Sequence, residues 1–325
     1  GFAGTPVSPV GYQNTSVLLD DTGAVWGWGD NGDGQLGQGT LATDDTYDDV
    51  DLYVPTLIPG IADAVTITGG YDHTLVLLAD GTLMALGDNG SGQLGDGRTT
   101  DRDTAVAVQG ITDVVQIAAA SSSSFAVTSS GELWTWGAND YAQLGTGGED
   151  DDAHPVPAVV AGLPPIVQVA AGRDHVLALD EDGYVWGWGL NASTQVAGPA
   201  NSLGDSPILA PSRLDHLGLA VAVYANGNQS YLETPDALLW GWGQNGSTGA
   251  LGVTLSGDLE APIAPVFGLV DVVDFSVGAL HSVALRNDDN AFAWGWSFQG
   301  SLGAGESVIH AWGYRIPILV TPPTP

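Results

Sequence analysis

Short β-rich stretches of apolar residues, separated by turn residues, recur along the whole chain. In segment 17–37 the stretch VLL is followed by Asp-Asp-Thr-Gly and then by VWGWG, whose two tryptophans lie two positions apart and therefore emerge on one face of a strand. The glycines lie on the other face, where they let a neighbouring sheet approach closely. Thr22-Gly23 predicts a two-residue hairpin turn that needs positive φ. The pattern predicts antiparallel strands rather than helices.

The same unit occurs six times in one frame, and internal repetition of this period is typical of propellers. The first position of the aromatic pair recurs at steps of 58, 50, 52, 54 and 54 residues. An apolar strand precedes each hairpin, and Val-Pro or Ile-Pro segments after it predict a fourth strand, so each copy is a four-stranded blade. The copies have cores near 17–37, 75–95, 125–145, 177–204, 231–252 and 283–303, and their pairs begin at Trp26, Met84, Trp134, Trp186, Trp240 and Trp294.

Length changes between the copies mark loops. In copy four an insertion, Ala192 to Asn201, separates the hairpin from Ser202-Leu203-Gly204, which we place at the position of Gln-Leu-Gly elsewhere. Copy five has one extra residue before its Leu-Gly, and copy six lacks two.

We therefore predict an all-β fold, a single propeller over residues 1–320 followed by a Pro/Thr tail at 321–325. Six blades account for the chain, and seven is the alternative. An open stack would leave bare strand edges, so we expect a closed ring in which the N- and C-terminal strands pair and complete one blade between them.

W-x-W-G-x-N followed by Gln-Leu-Gly, with G-x-x-H about ten residues before the turn, resembles the regulator of chromosome condensation repeat family. The resemblance covers essentially the whole chain. The G-x-x-H histidines are expected to be hydrogen-bonding struts within the blades, and Thr15, Ser124 or Ser230 takes their place in the other copies. The paired tryptophans are expected to pack between blades. These structural residues are Trp26, Trp28, Trp134, Trp136, Trp186, Trp188, Trp240, Trp242, Trp294, Trp296, His73, His175 and His281.

The functions of this family are diverse, and the resemblance implies only what its members share, which is protein recognition on a ring face. Known members include a nuclear nucleotide-exchange factor that binds chromatin, a plant sensor of ultraviolet light and a bacterial inhibitor of secreted β-lactamases. The present chain looks most similar to a bacterial-type extracellular member.

The charge balance changes the picture of the partners. The chain has 38 acidic residues against six arginines and no lysine, a formal net charge of −32. Nucleic acids and anionic membranes are disfavoured because both are bound through Lys and Arg. There is no cysteine and no apolar stretch of the roughly 20 residues needed to span a bilayer. The start at Gly1 and the Pro-Thr tail suggest an exported, mature chain, so we expect an extracellular or cell-surface location.

No motif for catalysis stands out. The string from Gly27 to Gly32 matches G-x-G-x-x-G, but it belongs to a sheet repeat and opens no helix, so it is not a dinucleotide site. The chain has no P-loop lysine and no zinc-protease or serine-hydrolase motif. We predict that the protein is not an enzyme and has no cofactor.

Acidic runs after two of the Leu-Gly segments are the remaining candidate site. Hard oxygen ligands favour Ca²⁺, and a solvated charge run is the alternative reading. The second run is Glu149 to Asp152, and the possible weak Ca²⁺ site in the first is Asp44, Asp45, Asp48, Asp49 and Asp51.

Three hypotheses for function remain. The leading one is a non-catalytic recognition or structural module that binds a protein partner through a loop face, as part of a larger surface assembly. The alternatives are an inhibitor of a secreted enzyme such as a β-lactamase, and a glycan-binding propeller.

Overall fold

A computed structural model describes residues 4–12, 14–42, 50–196, 206–245, 249–253, 260–278, 281–295 and 314–319. These residues form six four-stranded sheets whose described strand pairs are antiparallel, so the chain is an all-β propeller with six blades. The predicted class and blade count are confirmed. The chain divides into two compact units, Gly1–Val169 and Ala170–Pro325. Within the described residues no helix is long and apolar enough to cross a membrane.

The first unit contains blades 1 to 3, and in each the strands lie side by side in chain order. Blade 1 consists of β1 (Pro6–Tyr12), β2 (Thr15–Asp20), β3 (Val25–Gly29) and β4 (Leu52–Leu57); blade 2 of β5 (Ala64–Gly69), β6 (His73–Leu78), β7 (Leu83–Gly87) and β8 (Arg102–Ala107); and blade 3 of β9 (Val114–Ala119), β10 (Ser123–Thr128), β11 (Leu133–Asn139) and β12 (Asp150–Val159).

The boundary between the units falls within the first strand of blade 4, and a 3-10 turn at Asp215–Leu217 follows that blade. Blade 4 consists of β13 (Ile166–Ala171), β14 (His175–Asp180), β15 (Val185–Gly189) and β16 (Ile208–Arg213); blade 5 of β17 (Ala222–Asn226), β18 (Gln229–Glu233), β19 (Leu238–Gln244) and β20 (Glu260–Val270); and blade 6 of β21 (Val272–Val277), β22 (His281–Arg286), β23 (Ala291–Gly295) and β24 (Tyr314–Leu319).

The two terminal strands belong to different blades. β1 pairs with β2 in blade 1, and β24 pairs with β23 in blade 6. The expectation that the two ends complete one blade between them is therefore wrong. Each blade takes all four strands from one continuous segment, because the strand upstream of every hairpin, including the first, is already present in the same copy.

The central hairpins have three-residue loops instead of the expected two-residue turns. In blade 1 Asp20 N–H donates to Ala24 C=O and Gly23 N–H donates to Asp20 C=O, both over 3.0 Å, which leaves residues 21 to 23 in the loop. Only the last loop residue, Gly23, has positive φ, at 80°. This is a type I turn closed by a left-handed glycine, the common three-residue hairpin.

One apolar cluster lies between blades 1 and 2, a second between blades 2 and 3, and a third between blades 5 and 6. The glycine between the two tryptophans has a specific role in this packing. A methyl group at Gly27 would lie 2.4 Å from Cδ2 of Leu36, the leucine of the following Gln-Leu-Gly segment. The side chain that requires this glycine thus comes from the loop of the same blade, whereas the sequence pattern suggested a neighbouring sheet.

A buried asparagine organises the loop after the third strand. Its side-chain oxygen accepts the backbone N–H of the leucine five residues later, as from Leu36 to Asn31 over 2.9 Å and from Leu94 to Asn89 over 3.0 Å. In blade 4 the same bond, 3.0 Å, joins Val196 N–H to Asn191. The same bond in three blades explains why asparagine and Gln-Leu-Gly recur at a fixed distance.

This bond corrects the prediction for copy four. Val196 is fully buried and, with Gln195, occupies the Gln-Leu position, so Ser202-Leu203-Gly204 does not. The insertion therefore follows Val196 rather than Asn191, and it falls within residues 197–205, outside the described residues.

The strand register also corrects copy six. Phe292 pairs with Ala284 and Trp294 with Ser282, just as Trp26 pairs with Leu18 and Trp28 with Ser16. Trp294 is thus the second aromatic residue of its blade, and Phe292 is the first. In this frame copy six has the same spacing as copy one from the last strand glycine to the leucine, so it lacks no residues.

Candidate functional site

The histidines of G-x-x-H open the second strand of blades 2, 4 and 6, where each pairs with the last glycine of the third strand. The same register position holds Thr15, Ser123 and Gln229 in the other blades. The sequence frame had placed Ser124 and Ser230 there, one residue too far along. These two serines instead accept hydrogen bonds from His73 and His175 of the preceding blade.

The tryptophans fall into two environments. The second residue of the pair is fully buried in the described part of blades 3 to 6, at Trp136, Trp188, Trp242 and Trp294. The first residue is half-buried, and in blades 1 and 4 its indole N–H donates to an aspartate at the end of the second strand. No described tryptophan is among the exposed large apolar side chains that a glycan platform would need. The placements are Trp26, Trp28, Trp134, Trp186 and Trp240 half-buried, with Trp296 outside the described residues.

Most of the predicted Ca²⁺ site, namely Asp44, Asp45, Asp48 and Asp49, lies outside the described residues. The fifth member, Asp51, accepts the backbone N–H of Asn31 over 3.4 Å. Over the ranges that the structure describes, no group of three or more His, Asp or Glu side chains is arranged to hold a metal.

The second acidic run has a structural use. Asp150 accepts 2.7 Å and 2.8 Å hydrogen bonds from Asn139 Nδ2 and His154 Nε2, and the Asn139 bond is the main reason that the pKa of Asp150 is lowered. This carboxylate therefore joins the end of β11 to the first residues of β12.

A different group of carboxylates comes together in the first unit. The turn between strands one and two lies beside the residue that follows strand three, because Asp88 N–H donates to Asp72 C=O over 2.8 Å. Asp30 of blade 1 lies close enough to Asp72 for their charges to interact, so this part of blades 1 and 2 gathers the half-buried Asp30, Asp72 and Asp88, with exposed Asp101 beside Asp88. We call this group, together with exposed Tyr71, the loop edge.

The carboxylates of the loop edge repel one another. Burial raises the pKa of Asp72, and the charges of Asp30 and Asp88 raise it further. Burial also raises the pKa of Asp88, with a smaller contribution from Asp101, although Gly90 N–H and Gln93 Nε2 donate to its oxygens. Like charges held together at a cost in stability are typical of functional surfaces, where a cationic ligand removes the repulsion.

The corresponding positions of the second unit lack this concentration of charge. The pair equivalent to Asp72 and Asp88 is Asp174 and Leu190 in blade 4, and Asn228 and Gln244 in blade 5. Asp174 has an arginine partner, Arg173, at 3.0 Å, and Asn228 donates to Gln244 over 3.1 Å. Blades 4 and 5 therefore lack the concentrated charge of the loop edge.

Sequence reasoning missed the loop edge because it searched for consecutive acids. Asp30 and Asp88 each follow the last glycine of a third strand, and Asp72 precedes the G-x-x-H histidine. Blade topology brings these distant positions together. The available signal was the occurrence of aspartate at matching positions of adjacent copies.

The six blades and their repeated turn geometry define a repeat-built β-propeller. Models of the regulator of chromosome condensation (RCC1) repeat match residues 22–77 and 130–179, and residues 64–93, 114–143, 166–195 and 272–301. Together the matches cover more than half of the chain, which therefore belongs to the RCC1 repeat family.

Relatives and solved structures agree with this assignment. The chain is 30% identical over 290 residues to the ultraviolet-B receptor UVR8 of Arabidopsis thaliana. The aligned residues are 87% of this chain and 62% of the receptor. Human WBSCR16 has a similar fold, with a TM-score of 0.82 at 23% identity over 99% of this chain and 83% of that protein. Prp20p from Saccharomyces cerevisiae, studied for its binding to Gsp1p and histones, gives 0.80 at 19% identity over 98% and 77%. The two solved structures show the fold alone.

Proposed function

We propose that this chain is a non-catalytic protein-recognition module that binds a cationic surface of a partner protein through the loop edge of its first unit. The observation that carries the proposal is the placement of three half-buried carboxylates, Asp30, Asp72 and Asp88, so close together that repulsion from Asp30 and Asp88 adds to the raised pKa of Asp72. A lysine or arginine placed between them would remove that repulsion and gain charge-assisted hydrogen bonds.

Exposed Tyr71 strengthens the proposal. It lies next to Asp72, and its backbone N–H donates to Ser121 C=O of blade 3 over 2.9 Å, which holds the turn in place. Tyrosine on a fixed backbone provides contact area at low entropic cost, and its ring face attracts cations. The binding of Gsp1p and histones by Prp20p is a property of that protein, and it supports a protein partner for a chain of the same fold.

Site-specific photo-crosslinking in an extract of the native source tests this function. A crosslinking residue at position 71 should capture a discrete protein, whereas one at Tyr53, which is 83% exposed on β4, should not. The Asp72→Asn/Asp88→Asn double variant should lose the adduct. Asp151→Asn/Asp152→Asn changes the net charge equally on exposed residues and should retain it. Equal capture from both crosslinking positions, or equal loss in both double variants, would refute the proposal.

The extracellular or cell-surface location and membership of a larger assembly are part of the same proposal. A net charge of −32 suits a protein that must stay soluble outside the cell. Fractionation of the native source with an antibody to this chain tests the location, and a purely intracellular signal would rule it out.

A further inference from the structure

A hydrogen-bonded chain connects blades 2 and 3. Nε2 of His73 lies 3.1 Å from Oγ of Ser124 in the next blade. That hydroxyl donates to Gln93 C=O over 2.7 Å, and Trp136 Nε1 donates to the same carbonyl over 2.8 Å. Because the only proton of Ser124 Oγ is used toward Gln93, the hydroxyl must accept from His73. The direction of these hydrogen bonds therefore places the imidazole proton on Nε2.

Blades 4 and 5 repeat this arrangement. Nε2 of His175 lies 2.8 Å from Oγ of Ser230, whose hydroxyl donates to Gln195 C=O over 2.6 Å. The same reasoning places the proton of His175 on Nε2. In both histidines Nδ1 is a buried acceptor without a hydrogen-bond partner among the described residues.

The imidazoles have no space to move. Both histidines are fully buried. A methyl group at Gly70 would lie 2.1 Å from Cε1 of His73, and one at Gly172 would lie 2.1 Å from Cε1 of His175. This contact explains the G-x-x-H spacing, since the glycine leaves room for the ring. It also means that Nδ1 cannot turn toward water without movement of the blade.

Few charges surround the two rings. Tyr71, Asp72 and Asp88 are the titratable groups on the turns beside His73, and β9 and β10 contribute none. Around His175 they are the Arg173–Asp174 pair in its own turn and Tyr224, Tyr231 and Glu233 on β17 and β18. Burial is the cause that lowers the pKa of His73 to about 4 and that of His175 to about 3.

We propose that the His73–Ser124 and His175–Ser230 bridges are proton-sensitive latches that hold adjacent blades together at neutral pH and release on acidification. Protonation adds an N–H donor and a charge at Nδ1, where no acceptor is available and the ring cannot rotate. The charge can be hydrated only if the ring leaves its buried position, and the Nε2–H bond to serine is then lost together with the contact between the two blades. Each latch operates within one unit of the chain.

The sign of the pH effect follows from the two protonation states. An unfolded histidine binds its proton near pH 6.5, whereas the folded histidines do so only near pH 4 and pH 3. Between these limits the unfolded chain binds more protons, so stability falls as the pH falls from about 6.5. For each latch the unfolding constant should rise about tenfold for every unit by which the pH falls within this window.

Urea unfolding from pH 7.5 to pH 4.5 tests the proposal with His73→Gln and His175→Gln. Glutamine occupies the same register position in blade 5, at Gln229, and it cannot titrate. In each single variant the unfolding constant should rise about tenfold less per unit fall in pH than in the parent chain. In the double variant it should rise about a hundredfold less per unit. His216→Gln, at an exposed histidine, should match the parent chain. Half-buried His281 and all carboxylates are unchanged in every variant, so their contributions cancel.

Parallel pH curves for the parent and the double variant would overturn the latch. Nitrogen-15 NMR of the imidazoles in the parent chain gives an independent decision if a glutamine variant fails to fold. Two rings should show the Nε2–H tautomer and stay neutral at pH 5. If every histidine in the folded chain titrates near pH 6.5, the proposal is wrong.

Discussion

Nε1 of Trp186 donates a 2.9 Å hydrogen bond to Oδ2 of Asp180, and the other carboxylate oxygen accepts two backbone N–H groups of the hairpin loop. Blade 1 repeats this arrangement with Trp26 and Asp20. In blade 3 the register position of the aspartate holds Thr128, and the indole N–H of Trp134 has no partner among the described residues. One aspartate thus fixes both the loop and the first tryptophan.

This difference predicts opposite effects of two substitutions. Asp180→Ala should destabilise the chain by about 2 kcal/mol, because it leaves the indole and two loop N–H groups without their acceptor. Thr128→Asp should stabilise it by about 1 kcal/mol by providing the missing acceptor for Trp134. Urea unfolding at pH 7 measures both. Leu78→Asp is the control, because Met84 at the position of the tryptophan has no side-chain N–H to donate. This substitution should destabilise the chain, and a stabilising effect would contradict the explanation.

The buried loop asparagines differ in their number of partners. Asn89 Nδ2 contacts Asp96 Oδ1, Arg98 C=O and Thr100 C=O at 3.0 to 3.2 Å. Asn31 Nδ2 has no partner among the described residues, although both side chains accept a backbone N–H. Asn89→Ala should therefore cost about 3 kcal/mol, and Asn31→Ala about 1 kcal/mol. Equal losses in chemical denaturation would show that the amino group contributes little.

Ala237 occupies, with φ at 60°, the hairpin position that holds glycine in blades 1 to 4. Left-handed backbone is unfavourable for alanine, so Ala237→Gly should stabilise the second unit by about 1 kcal/mol. Gly183→Ala is the reciprocal test at φ 87°, where the added methyl would also lie 3.1 Å from Ala220 C=O. Gly183→Ala should destabilise the chain, which a lower thermal midpoint of unfolding would show. Changes of the same sign would refute the backbone argument.

The close contact between Gly172 and the ring of His175 predicts that substitutions at these two positions are coupled. A methyl group at Gly172 would lie 2.3 Å from Nδ1, so Gly172→Ala should destabilise by about 2 kcal/mol through overpacking. Blade 3 combines Ala120 with Ser123 in the same turn. Adding His175→Ser should therefore make the alanine substitution less costly than in the parent chain, while the 2.8 Å approach of the methyl group to Gly227 C=O remains. A double-mutant cycle measures the coupling, and additive effects would show that the imidazole is not the obstacle.

Several structural features could be predicted because they depend on residues close in sequence. The spacing of paired aromatics, turn residues and apolar strands predicted six blades of four strands, and the structure confirms both numbers. The two tryptophans of β15 share a face for the same local reason. Such patterns follow from the two-residue period of a strand.

The errors arose where two frames look alike. A shift of two residues leaves the same side chains on the same face, so the pattern alone placed Trp294 as the first aromatic residue. Its pairing with Ser282 shows that it is the second. Leu203-Gly204 matched the expected Leu-Gly, yet Val196 holds the position because its N–H reaches Asn191. Hydrogen bonds between strands and loops resolve these ambiguities, and their partners are distant in sequence.

The sequence by itself determined the repeated strand and turn chemistry, the excess of negative charge and hence the class of the fold. Only the tertiary structure decided that His73 meets Ser124 and that Asp72 lies beside Asp88 and Asp30. The physical reason is that propensity and periodicity act over a few neighbouring residues. Burial and electrostatic repulsion depend on which blades are adjacent in space.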